Sequence, residues 1–133
     1  MAVVSAEATP VATESDIVTV RRLVREAAAK LGFSLVDQTK VVTAASELAR
    51  NTLIHGKGGD MELITLNGPR VGLRLKFHDN GPGIRDVQLA LRDGFTTGSG
   101  LGLGLGGAKR LVNEFEIDSR VGEGTTVTVT RWK

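Results

Sequence analysis

The chain has no cysteine, which removes disulfides, thiolate metal sites and a cysteine nucleophile from consideration. It has no run approaching ~20 apolar residues, so no segment is expected to span a bilayer. The opening stretch, MAVVSAEATPVATESD, lacks a basic n-region and a sustained apolar core. That argues against a cleaved secretory signal and makes the cytoplasm the expected compartment. Excess charge is missing too: 17 Lys+Arg against 15 Asp+Glu leave +2. No Lys/Arg run exceeds two residues, and one Trp and four Phe are all that could stack on bases, so nucleic acid is not an expected partner.

What is present is ordinary globular usage, 41% hydrophobic and 24% charged. A chain of 133 residues suffices for one domain burying roughly two thirds of its unfolded surface and is too short for two. A single domain over residues 1–133 is expected, with residues 1–10 either an edge strand or a loose tail. Val20, Leu23, Val24, Ala27, Ala28 and Leu31 recur at helical spacing, which predicts an amphipathic helix behind Ser15 or Asp16 as N-cap and ending at Gly32. A second helix is predicted from Asp37 to Gly56. Strands follow at Met61–Leu66 and Val71–Phe77, joined by an Asn-Gly turn. A third helix is predicted after a glycine-rich stretch, ending near Phe115, and two short strands flank Val121–Gly124. Helices early and strands late suggest an α+β two-layer sandwich, a mostly antiparallel sheet with helices packed on one face.

On the second helix, Val41, Val42, Ala45, Leu48, Ala49, Thr52 and Leu53 form the core face. At ~100° per residue, Glu47 lies nearly opposite, with Asn51 one turn further on, so both are expected on the surface that does not pack. Arg50, Thr43 and His55 flank them. An isolated Glu-x-x-x-Asn is also what a solvated helix face carries. The second strand runs into HDNGPGI, which puts Asp79 at a strand tip with Gly81 and Gly83 behind it; a ligand-holding tip and a plain turn both use such residues.

Seven glycines fall within Gly94–Gly107, three alternating with leucine. Gly102, Gly104 and Gly107 match G-x-G-x-x-G, but no buried strand precedes them, so the dinucleotide-binding reading fails its context. Without G-K-[ST] there is no P-loop.

Glu47-x-x-x-Asn51, Asp79-x-Gly81-x-Gly83, the Gly100-x-Gly102-x-Gly104 cluster and Gly124-Thr125, taken in this order, resemble the GHKL ATPase superfamily and its Bergerat ATP-binding fold. SELARN, DNGPGI, DGFTTG, KRLVNEF and GEGT are similar to the RsbT-type serine/threonine kinases of stressosome pathways, relatives of the anti-sigma-factor kinases. The resemblance implies a lid over ATP, with Gly100, Leu101, Gly102, Leu103 and Gly104 turning into a helix whose backbone N–H groups meet the phosphates. The cradle starts at Gly98 or Gly100, the second register placing KRL in the family's helix position. The resemblance further implies Glu47 as general base, Asn51 as Mg2+ ligand, Asp79 as acceptor of the adenine amino proton, Gly81 and Gly83 beside the base, and Thr125 supporting the adenine end. Lys109 and Arg110 are either phosphate contacts or exposed helix charge, and Arg50 and His55 either partner contacts or a solvated face. The implied activity is phosphorylation of a STAS-domain antagonist, with partner switching that activates a PP2C-type phosphatase in sigma-factor control of the stress response. The alternative is an anti-sigma factor or non-catalytic module that sequesters a partner such as a sigma factor. A histidine kinase would need a phosphoacceptor histidine on a preceding helix, whereas His55 and His78 fall inside the nucleotide domain. A mechanical ATPase would need a further domain.

Overall fold

The computed structural model describes residues 2–92 and 104–133. In chain order these form β1 (Ala2–Val11), α1 (Glu14–Lys30), α2 (Leu35–Ile54), β2 (Gly59–Asn67), β3 (Gly72–Asp79), α3 (Val87–Ala90), α4 (Gly104–Arg110), β4 (Glu114–Arg120) and β5 (Gly124–Trp132). The five strands make one sheet in the order β1-β2-β3-β5-β4, and every neighbouring pair is antiparallel. The expected α+β architecture is therefore the one observed. Residues 2–11 are an edge strand on β2 rather than a tail.

Alternation decides which face is covered. Met61 and Leu63 of β2, Leu73, Leu75 and Phe77 of β3, and Val127 and Val129 of β5 are buried and form one core with Val20 and Val24 of α1, Leu48 of α2, and Leu105 and Ala108 of α4. The alternate positions, Asp60, Glu62, Lys76, His78, Thr126 and Thr128, line the open face of the sheet. Register leaves no choice here, because a one-residue slip would put these charges into the core.

The helix starts follow capping chemistry. Thr13 is the N-cap of α1, its side chain accepting from the Asp16 N–H while the Asp16 carboxylate takes the Thr13 N–H, a complete capping box. The N-cap thus lies upstream of the predicted Ser15 or Asp16, because only Thr13 has its partner three residues on. Ser34 caps α2 through the Asp37 N–H.

One further expectation is corrected. The helix after the glycines ends at Arg110, not near Phe115. Strand pairing takes over there: the Asn113 N–H donates to Thr130 O (2.9 Å), Asn113 Oδ1 accepts the Trp132 N–H (2.7 Å), and Phe115 falls in β4. The last two strands lie at one end of the sheet, with β5 inserted between β3 and β4. Arg131 near the end of β5 ties the helical layer down, donating to Leu111 O (3.2 Å) and to the Asp37 carboxylate of α2 (2.7 Å).

Candidate functional site

Asp79 is the last residue of β3 and is buried. One of its carboxylate oxygens accepts the Gly81 N–H at 2.9 Å, a local turn that holds the side chain in one orientation. The backbone crowds it from two directions. A Cβ added to Gly56 would lie 2.3 Å from Asp79 Cγ, and one added to Gly124 would lie 2.1 Å from the Asp79 carbonyl oxygen. Gly124 also has φ +112° and Gly83 φ +76°, a region costly for any side-chain-bearing residue. Gly81 approaches Gly56, where an added Cβ would meet the carbonyl oxygen at 2.6 Å. Gly81 thus lets the Gly56 backbone come close beside Asp79, whereas a Cβ added to Gly83 would meet the Arg120 carbonyl oxygen of β4 at 2.3 Å.

Sheet register extends the site sideways. Gly59, Asp79, Thr125 and Ser119 occupy one row across β2, β3, β5 and β4. Asp79 and Thr125 are both buried. The Thr125 hydroxyl is 2.8 Å from Ser119 Oγ, and Ser119 Oγ also accepts the Ile84 N–H at 2.7 Å. Ser119 therefore joins the turn after Asp79 to the start of β5.

The other half of the site lies on α2. Glu47 is 9% exposed and Asn51, one turn further, is half-buried. This corrects the expectation that both project from an unpacked surface. Ala44, three residues before Glu47, is fully buried, and α4 packs against α2 with Leu105, Gly106 and Ala108 buried. A helix covered by α1 and α4 as well as the sheet has little unpacked surface left.

The two halves are joined by the end of α2. The Asn51 carbonyl accepts both the His55 N–H (2.9 Å) and the Gly56 N–H (3.2 Å), and Thr52 O accepts the Gly58 N–H (2.9 Å). With Lys57 at φ 60°, the turn delivers Gly56 onto the Asp79 carboxylate. Seven residues of helical rise, ~10 Å, separate Glu47 from Ile54 at the end of α2, two residues before that contact.

Of the remaining predicted residues, Gly104 opens α4 with φ +58°, whereas Gly100, Leu101, Gly102 and Leu103 lie outside the described residues. Lys109 and Arg110 are exposed, Lys109 lying 6.0 Å from the centroid of the Phe115 ring. Arg50 is 3.9 Å from Glu14 of α1, and His55 is the half-buried C-cap of α2. Gly56 and Ser119 were not singled out from sequence as parts of the site. Gly56 reads as a helix stop, and Ser119 is one polar residue in an alternating strand; only pairing with Thr125 reveals it.

The donor set also bears on metals. Among the described residues, no group of three or more His, Cys, Asp or Glu is placed to hold an ion. Mg2+ takes few protein ligands and keeps several waters. The Asn51 amide oxygen is a hard donor of the right kind. For a purine, the buried carboxylate at the end of β3, with glycine backbone beside it, offers an acceptor in a place no Cβ obstructs.

Residues 36–133 match the family described as histidine kinase-, DNA gyrase B-, and HSP90-like ATPase. The chain is 47% identical over 122 residues to the serine/threonine-protein kinase RsbT of Bacillus subtilis (strain 168), covering 90% of this chain and 91% of that one. It is 30% identical over 117 residues to the anti-sigma F factor of Thermoanaerobacter sp. (strain X514), covering 84% and 82%. Among solved structures, the RsbU and RsbW domains of Rv1364c from Mycobacterium tuberculosis match with TM-score 0.67 and 25% identity, over 96% of this chain. The chain spans 32% of that longer protein's length.

Proposed function

Because the chain belongs to the histidine kinase-, DNA gyrase B- and HSP90-like ATPase family, we propose that it is an ATP-dependent protein serine/threonine kinase acting in the cytoplasm in sigma-factor regulation. The observation that carries this reading is the junction of the two halves: a buried strand-tip carboxylate in glycine backbone, fastened through Gly56 to the helix that bears Glu47 and Asn51.

Each residue then has a task. Asp79 accepts the adenine amino proton, and a base without that donor leaves the buried carboxylate unpaired, a penalty of ~1–3 kcal/mol or more. Gly81 and Gly83 keep side chains clear of the base, and Thr125 supports the adenine end. Gly100, Leu101, Gly102, Leu103 and Gly104 cradle the phosphates with backbone N–H groups. Asn51 would hold Mg2+, which would supply charge neutralisation on the phosphates. Glu47 takes the proton from a serine or threonine hydroxyl of the substrate as its oxygen attacks the γ-phosphorus. The bond to the β–γ bridging oxygen breaks, and ADP leaves. General-base help of this kind contributes ~10²–10⁴ in rate.

The substrate in this reading is a STAS-domain antagonist, and release from it frees the kinase to activate a PP2C-type phosphatase. Arg50 and His55 are contacts for these partners. The 47% identity to a serine/threonine-protein kinase over most of both chains supports the kinase over a purely sequestering module. The test is label transfer from γ-labelled ATP with Mg2+ to a STAS-domain protein encoded beside this gene, with Asp79→Asn as the no-nucleotide control. An acid-stable serine or threonine ester that is lost in the control supports the reading. ATP binding without transfer points to the sequestering module, and absence of ATP binding overturns the nucleotide site.

A further inference from the structure

Ser119 has one proton and two lone pairs. The Ile84 N–H, 2.7 Å away, occupies one lone pair. Two groups remain within reach of the hydroxyl: Thr125 Oγ1 at 2.8 Å and the Gly124 carbonyl at 3.4 Å. The first is an ordinary O–H···O length; the second is well outside the range of a good one. The pair can be ordered in two ways. If Ser119 donates to Thr125, the Thr125 proton is directed away from Ser119, into the row where Asp79 lies directly opposite. If Thr125 donates to Ser119, the Ser119 proton is left with only the carbonyl at 3.4 Å.

We propose that Ser119 is a positioning residue for base selection, holding the Thr125 hydroxyl as a donor toward the base. The proposal rests on the adenine reading above. Adenine carries a donor (its amino group) beside an acceptor (N1) on its Watson–Crick edge; guanine and hypoxanthine present the reverse, an acceptor at O6 beside N1–H. Asp79 answers the first adenine position and a donating Thr125 answers the second. The polarity survives an intervening water, since a water that accepts from Thr125 keeps both protons for N1 and the carboxylate. A base with N1–H meets the Thr125 proton head-on, and turning the chain round to accept N1–H strands the Ser119 proton. Ser119 touches neither base nor phosphate in this scheme; by donating to Thr125 it turns the Thr125 proton toward the base.

The same contacts explain why the device is rigid. Ser119 holds the Ile84 amide in the turn after Gly83, and it faces Thr125 across the β4–β5 pair. The hydroxyl it controls belongs to a residue 5% exposed, where bulk water cannot freely exchange donors and acceptors.

The experiment is equilibrium binding, with Mg2+, of three probes: ATP, the purine ribonucleoside triphosphate lacking the amino group, and inosine triphosphate. Wild type and Ser119→Ala are compared, with Ser119→Cys, a near-isosteric and much weaker donor, as the variant that preserves packing. The expected result is that both variants narrow the preference for purine over inosine triphosphate by about tenfold, the size of one unsatisfied polar group. The ratio of ATP to the purine triphosphate, which reports Asp79, stays as in wild type. Ser119→Thr, which keeps the hydroxyl, restores the wild-type preference. A uniform loss of affinity for all three probes, or unchanged ratios in a folded Ser119→Cys, overturns the proposal. If wild type itself binds the three probes equally, the adenine reading fails, and the fault is separate from Ser119.

Discussion

Around Asp79 the fold closes in with backbone, whereas Glu47 sits on a helix that packs against two other helices and the sheet. Gly56, Gly81 and Gly124 leave no room for a Cβ beside the strand tip, and the polar groups of Asp79, Thr125, Ser119 and Ile84 are joined by short hydrogen bonds or direct pairing. Glu47, by contrast, is positioned by the burial of α2 between α1 and α4. The difference is what binding and catalysis ask for. A base is recognised by a preset pattern of donors and acceptors, so its site gains from being over-determined. A general base needs correct placement and freedom to take a proton once the substrate arrives.

The sharpest way to break the comparison is at Glu47. Glu47→Gln is expected to lower phosphotransfer by ~10²–10⁴ while leaving Mg-ATP affinity within about twofold, since the side chain is nearly isosteric. Single-turnover transfer and titration calorimetry on the same preparation check it. Gly124→Ala attacks the other half: at φ +112° and with its Cβ 2.1 Å from the Asp79 carbonyl, it is expected to cost ~2–4 kcal/mol of stability and to weaken ATP binding at the same time. Urea unfolding with and without ATP separates the two effects.

Gly56→Ala sharpens the comparison, because this glycine is where α2 meets Asp79. Its Cβ would be forced against the carboxylate, so ATP affinity is expected to fall at least ~10-fold, with α2 still folded by circular dichroism. The smallest effect lies far from the site, in the capping box of α1. Thr13→Ala is expected to cost ~1 kcal/mol and to leave ATP affinity unchanged. The Ala12 and Thr13 amides hold the Asp16 carboxyl below its ordinary value of 3.8. Its contribution is therefore present above that value and disappears as pH falls through the lower folded one. Unfolding of wild type and Asp16→Ala across the acid range checks this, the two curves converging at low pH.

Much of this was legible in one dimension, and the exceptions share a cause. The Glu47–Asn51 spacing, the Asp79 tip and the helix–strand succession are local patterns, and local patterns survive folding. Burial of Glu47 was not legible: α2 packs against α4, more than fifty residues downstream in the chain, and no local spacing shows that. The placement of β5 between β3 and β4 is likewise a long-range pairing that no periodicity encodes. Gly56 and Ser119 escaped notice for the same reason: each acquires its meaning only opposite Asp79 or Thr125. The α1 N-cap shows the converse case, a local choice in which Ser15 and Asp16 looked suitable and only the Thr13–Asp16 spacing completed a box.

The central claim is that base recognition belongs to the strand tip and phosphoryl transfer to α2. The most direct measurement of it is Mg-ATP affinity by calorimetry for wild type, Asp79→Asn and Glu47→Gln side by side. The expected result is that Asp79→Asn loses at least ~10-fold in affinity while Glu47→Gln binds as wild type does. Equal affinity in wild type and Asp79→Asn would contradict the claim.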